Sequence, residues 1–226
     1  NKRCKLIMRY LNRLDTVTLL LIFINILAFM YEVFKLGFSL LIPSVVANVD
    51  FASIGGLNSH TPIYSYITSM FLHGSIIHIF FNMTALMSIG LLIHHEFGSI
   101  VYIIGYFLSG IGANILSVIV MPETTTVGAS GAIFGLFGMY VAYSMFKGFG
   151  MFKNAFVGLG FSIASGIFIP NVNIWAHLGG AIIGLIFGII IMIIRKTGTG
   201  IKRGLFKKKN KRPSEAEEWS NQINYY

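Results

Sequence analysis

The chain has 226 residues, of which 55% are hydrophobic and 11% charged, with a formal net charge of +9 and a mean hydropathy of +0.75. A soluble domain carries about 25% charged residues, so the composition excludes an ordinary soluble domain and fits one polytopic membrane bundle. The lone Cys4 has no partner for an intrachain disulfide and no apolar pocket in sequence, and it is given no catalytic role.

In chain order, a basic segment, 1–15, with Lys2, Arg3, Lys5, Arg9 and Arg13 precedes a first apolar helix predicted over 16–34. That helix has full span length and no small-residue cleavage site after it, so it is expected to be retained. The loop 35–66 is too apolar for a plain linker. Phe38, Leu40, Leu41, Ile42, Val45, Val46 and Phe51 call for burial, which places the loop in the membrane interface. Further helices are predicted over 75–93, 100–120, 130–146, 151–169 and 176–194. The expected fold class is an all-α bundle of six transmembrane helices, a membrane domain over 16–194, followed by a basic tail over 195–226.

Charge sets the orientation. With six spans the N-terminal cations, Lys147, Lys153 and the cations from Arg195 to Arg212 all fall on one side, and only Lys35 of the seventeen basic residues falls on the other. That side is the cytoplasmic one, and both termini are expected there. The net charge is therefore a topology signal, with anionic lipid as a further contact of the tail. Nucleic acid is not an expected partner, because the basic residues flank spans without interleaved aromatics.

Depth follows from helical rise. Counting back from Lys147 to Ser130 gives about 25 Å, and from Arg195 to His177 about 27 Å. From His94, His78 lies about 24 Å and Asn82 about 18 Å away, and these two share a helix face at i and i+4. Serine, histidine and a His/Asn pair thus meet in one layer near the outer edge of a core about 30 Å thick. Singly, the serine reads as a helix cap, the histidine as an interfacial side chain and the asparagine as interhelical glue. Together they read as a site. Gly131, Gly135 and Gly138 on the fourth helix, and Gly180, Gly184 and Gly188 on the sixth, permit the backbone approach that would bring His177 to the Ser130 hydroxyl. Phe134, one turn below Ser130, is placed to pack on that imidazole.

A serine needs a base at neutral pH, and a neutral histidine is the usual one. The acids Asp15, Glu32, Asp50, Glu96, Glu123, Glu215, Glu217 and Glu218 lie outside or at the ends of the predicted spans. A Ser130–His177 dyad is therefore expected rather than a triad. The oxyanion formed by attack on a carbonyl needs donors: the Asn82 amide, the His78 ring N–H and the Ser130 backbone N–H, the last free at a helix start.

Three stretches, HGSIIHIFFN at 73–82, GASGAIFG at 128–135 and AHLGGAIIG at 176–184, with SGIGAN at 109–114, resemble the rhomboid family of intramembrane serine proteases, of the six-helix prokaryotic type. The resemblance covers nearly all of 64–194. It implies Ser130 as nucleophile, His177 as general base, and His78 and Asn82 as lining of the oxyanion hole. It implies single-span transmembrane proteins as substrates, cut near the outer face, with no cofactor and no metal. Many members carry Trp-Arg before the second helix, where this chain has Tyr64-Ser65. The fifth helix, with Phe152, Phe156, Phe161 and Phe168, is the expected lateral gate, mainly on that resemblance. The alternative is a catalytically silent rhomboid-like scaffold, although relatives of that kind usually lack the serine or histidine kept here. A transporter fits less well, because its site would use midplane charges and broken helices. A metal site at His94, His95 and Glu96 is disfavoured because adjacent helix residues point about 100° apart.

Overall fold

The computed structural model describes residues 16–41, 50–166 and 172–197. Expectations for the basic ends, Cys4, Ile42, Val45, Val46 and Phe168 fall outside these residues. Among the described residues six long helices form: α1 (Thr16–Leu36), α2 (Ile76–Phe97), α3 (Ser99–Val120), α4 (Ser130–Met145), α5 (Phe149–Ser165) and α6 (Ile174–Thr197). A single helical turn, Ser65–Thr68, runs into a 3-10 turn, Ser69–Phe71, ahead of α2, and two more 3-10 turns, Phe38–Leu41 and Phe51–Ile54, lie in the loop after α1. The starts agree with the sequence reading to within two residues, because caps and glycines mark them. Ser75 Oγ accepts the His78 N–H at 3.1 Å to open α2, and Gly98, at φ 82°, separates α2 from α3.

Four of these helices, α1, α2, α3 and α6, are long and apolar enough to cross a membrane, while the apolar α4 and α5 are shorter. With 16 and 17 residues, α4 and α5 run about 24–26 Å, short of a hydrocarbon core of about 30 Å. Large apolar side chains cover the outside, among them Phe23, Phe34, Phe80, Phe81, Ile119 and Phe161, as a lipid-facing surface requires.

Helix α4 is the hub. Ala132, Leu136 and Met139 on it are buried, packed with Tyr102 and Tyr106 of α3 and Leu86 and Ile93 of α2. Its most extensive partner is α6. There is no room for side chains between them: a Cβ on Gly180 would strike the carbonyl of Gly131, and one on Gly184 the carbonyl of Gly135. No residue of α5 from Phe149 to Ala164 is buried, and Gly158 has open space around it.

The loop before α2 is partly built into the bundle. Leu57 is fully buried and forms an isolated antiparallel bridge with Thr126. Leu40 is buried against Phe29 and Ile79, whereas Phe38 and Leu41, also expected to seek burial, remain exposed within the protein. At the opposite end Arg195 donates to the carbonyls of Glu96 and Phe97 at 2.7 and 3.1 Å, joining the end of α6 to the α2–α3 turn.

These contacts set a stability contrast. Gly184→Val forces two backbones apart and is expected to lower stability by at least about 1–3 kcal/mol. Gly158→Ala should be neutral or stabilising by about 0.5–1 kcal/mol. Thermal unfolding of both variants in detergent micelles checks the difference.

Candidate active site

Ser130 is the first residue of α4, and its neighbour Ala129 already has helical dihedrals and makes no side-chain cap. The serine hydroxyl is not spent on capping either. It lies 3.0 Å from Nε2 of His177, in the first turn of α6. The imidazole stacks on Phe134 with centroids 4.1 Å apart and planes at 19°. His177 is 9% exposed, and its Nδ1 has no hydrogen-bond partner among the described residues. Phe134, expected beside the imidazole from its place one turn along α4, is there because the glycine ridge lets α6 approach.

Polar ties at the ends of the helices hold this pair. Asn173 Oδ1 accepts the Ala176 N–H at 3.1 Å, while Nδ2 donates to Ser117 Oγ at 2.6 Å and Thr126 Oγ1 at 3.0 Å. One side chain therefore caps the start of α6 and ties it both to α3 and to the segment leading into α4. Asn114 of α3 donates to the Tyr66 carbonyl at 2.8 Å and to Ser69 Oγ at 2.9 Å. The Ser69 carbonyl accepts the Gly128 N–H at 2.9 Å. The sequence reading did not single out Asn173 or Ser117. Their only signal was polarity at the ends of apolar runs.

Gly128, at φ +131°, lies between the serine and His78. A Cβ there would fall 2.9 Å from His78 Cε1, 3.0 Å from its Nε2 and 3.7 Å from Ser130 Oγ. His78 Nδ1 accepts the Gly74 N–H at 3.3 Å. A neutral imidazole that accepts at Nδ1 carries its hydrogen on Nε2, the nitrogen that faces Gly128. Asn82, 6% exposed, donates through Nδ2 to the His78 carbonyl at 2.9 Å, which leaves the second amide hydrogen for another acceptor. The structure thus brings Ser130 and His177 into direct contact and sets His78 beside Gly128, and it satisfies half of the Asn82 amide within α2.

Other singled-out residues lie elsewhere. His73 is buried, with Nδ1 3.1 Å from the Phe71 carbonyl and its ring edge-on to His78 at 5.1 Å. Ser65, in the place of the family arginine, is fully buried, and Tyr64 is exposed. At the far end of α2 His95 contacts Glu96 at 2.9 Å and His94 contacts Ser99 at 3.4 Å. Among the described residues no group of three His, Cys, Asp or Glu is arranged to hold a metal. Glu32 lies near the end of α1, as read, and its side chain is fully buried. The loop before α2 folds over it and supplies a donor, the His73 N–H.

The geometry defines an all-helical protein with membrane-length helices and a serine–histidine pair at the start of its two most closely packed helices. Residues 60–194 match the rhomboid domain family model, and the chain belongs to the rhomboid family, whose members are generally intramembrane proteases. It is an integral membrane protein. It is 29% identical to RHOMBOID-like protein 4 of Arabidopsis thaliana over 180 residues, 71% of this chain and 45% of that protein. It is 35% identical to RHOMBOID-like protein 2 of the same plant over 133 residues, 56% of this chain and 42% of that protein. To Rhomboid-like protease 3 of Toxoplasma gondii it is 35% identical over 80 residues, 35% of this chain and 30% of that protein. The chain spans less than half the length of each of these three relatives.

Gly128→Ala places a side chain at positive φ and against the His78 ring. The expected cost is about 1–2 kcal/mol from the backbone alone, more if the ring must move. A lowered unfolding midpoint, compared with that of Gly150→Ala, where nothing lies within 4 Å, checks it.

Proposed function

We propose that this chain is an intramembrane serine endopeptidase that cuts single-span membrane proteins in or near their transmembrane segment. The observation that carries the reading is the 3.0 Å contact between Ser130 Oγ and His177 Nε2. His177 Nε2 takes the hydroxyl proton as Oγ attacks the substrate carbonyl. The tetrahedral oxyanion accepts from the Ser130 backbone N–H, the His78 Nε2–H and the free Asn82 amide hydrogen. The imidazolium then gives its proton to the departing amine, and water, activated by the same base, releases the acyl group. Stacking on Phe134 supports His177 in the one orientation that serves both transfers. No cofactor enters these steps.

In this reading α4 and α5 cross the membrane as well, which makes six spans. A short α4 then leaves Ser130 at the floor of an opening on the outer side, where water reaches it through the polar rim over 61–75 and 123–126. The unburied α5, with Phe152 and Phe156 in mutual ring contact at 5.7 Å, is the element that separates to admit a substrate helix. The loop after α1, carrying the exposed Phe38, lies in the interface. The charge pattern supports both termini on the cytoplasmic side, and the placement in a bacterial inner (cell) membrane rests on the motif resemblance alone. Two of the matched plant relatives carry the names mitochondrial and chloroplastic.

Ser130→Ala and His177→Ala should abolish cleavage of a reporter with one transmembrane segment in proteoliposomes while the unfolding midpoint stays near wild type. Asn82→Ala should lower kcat by up to about 10²–10³. A fluorophosphonate probe should label wild type and not Ser130→Ala. Cleavage by Ser130→Ala at the wild-type rate would overturn the mechanism, and a folded wild type that neither cleaves nor labels would leave a silent scaffold.

A further inference from the structure

A carboxyl group in an apolar helix is costly and usually serves a purpose. Glu32 of α1 is fully buried, and the proton transfers above do not use it. Both of its oxygens face one donor, the His73 backbone N–H, at 3.0 and 2.9 Å. The next N–H along the chain, that of Gly74, donates to His78 Nδ1. The following residue, Ser75, caps α2 through the His78 N–H. The short run 73–75 is therefore held at one end by Glu32 and at the other by the α2 cap, with its middle N–H on His78. The His73 ring, anchored at the Phe71 carbonyl, meets the edge of His78.

The geometry points to Glu32 as a positioning residue of the oxyanion site. By fixing the backbone at 73–74 it keeps the Gly74 N–H on His78 Nδ1, and so keeps the His78 hydrogen on Nε2, beside Gly128 and Ser130. The inference deepens the protease reading and rests on it. Its physical basis is tautomer selection. The two neutral imidazole forms are close in energy, and one ordinary hydrogen bond at Nδ1 favours Nε2–H about fivefold or more. With Gly74 exposed and without Glu32, the run loses the tie at its upstream end. The Nδ1–H form, which presents a lone pair to the oxyanion, then becomes populated. A purely structural tie between α1 and the loop would leave the tautomer alone.

The test uses the full chain in proteoliposomes with a single-span reporter, and two variants. Glu32→Leu has similar bulk and no acceptor, whereas Glu32→Gln keeps a carbonyl acceptor for the His73 N–H. Glu32→Leu is expected to lower kcat by about 10- to 100-fold with KM within about twofold, and Glu32→Gln to restore most of it. In protein labelled with 15N-histidine, the His78 ring nitrogens should report Nε2–H in wild type and Glu32→Gln, and a mixture in Glu32→Leu. Unchanged His78 resonances in folded Glu32→Leu overturn the proposal, even if its unfolding midpoint falls. Should Glu32→Leu not fold, Glu32→Gln decides: a wild-type His78 signature supports the proposal and a mixed one overturns it. The resonances are read without substrate. A wild type that cleaves nothing therefore counts against the protease reading, while the His78 signature still judges the role of Glu32.

Discussion

Everything at the candidate site depends on how closely α4 and α6 approach. Where Gly180 and Gly184 meet Gly131 and Gly135, a backbone carbonyl occupies the space a side chain would take. In lipid the apolar tails solvate leucine as well as another helix does, so helices associate through dense packing and not through the hydrophobic effect. Glycine lets two backbones touch over several turns, and that contact also fixes the height of one helix against the other. The first turn of α6 comes level with the first residue of α4, and His177 reaches Ser130. A methyl group in the ridge would move the imidazole by more than a hydrogen bond tolerates.

Close approach sets distance and height, and polar ties at the helix ends set rotation. Asn173 joins the start of α6 to Ser117 and Thr126. Asn114 and Ser69 connect α3 with the loop and with Gly128. These bonds sit where helix ends leave backbone groups without intrahelical partners, so they satisfy polar groups and orient side chains together. At the other end Arg195 ties α6 to the α2–α3 turn. Helix α5 is set apart by burial: none of its residues from Phe149 to Ala164 is buried. That leaves it the least constrained of the long helices among the described residues, which supports the gate reading taken from the resemblance.

Much of this was legible before any coordinates. Helix starts could be read from Ser75, Gly98 and Ser130, because capping and positive-φ glycines act locally. The common layer of Ser130, His177 and His78 followed from rise per residue and charged boundaries, two quantities that need no partner. The Phe134 contact followed from a one-turn offset. The burial of Glu32 was not legible, because position near a helix end does not say whether a neighbouring loop closes over it. Asn82 was read as an oxyanion donor, and the bond of one amide hydrogen to the His78 carbonyl was not foreseen. That bond depends on a rotamer chosen by packing.

The sequence by itself determined the solvent the chain is built for, the family it belongs to, the order of its helices and the residue types available at one depth. Composition, periodicity and motif spacing are properties of neighbours along the chain, so they survive without a fold. The tertiary structure alone decided the 3.0 Å contact of Ser130 with His177, the donor on His78 Nδ1 and the burial of Glu32 beneath the loop. The first and the last join groups from segments far apart in sequence, while the second spans only four residues and depends on the backbone held at 73–74. Their separations are set by how backbones pack and by which side chains fill the remaining space, and no local rule in the chain contains that information.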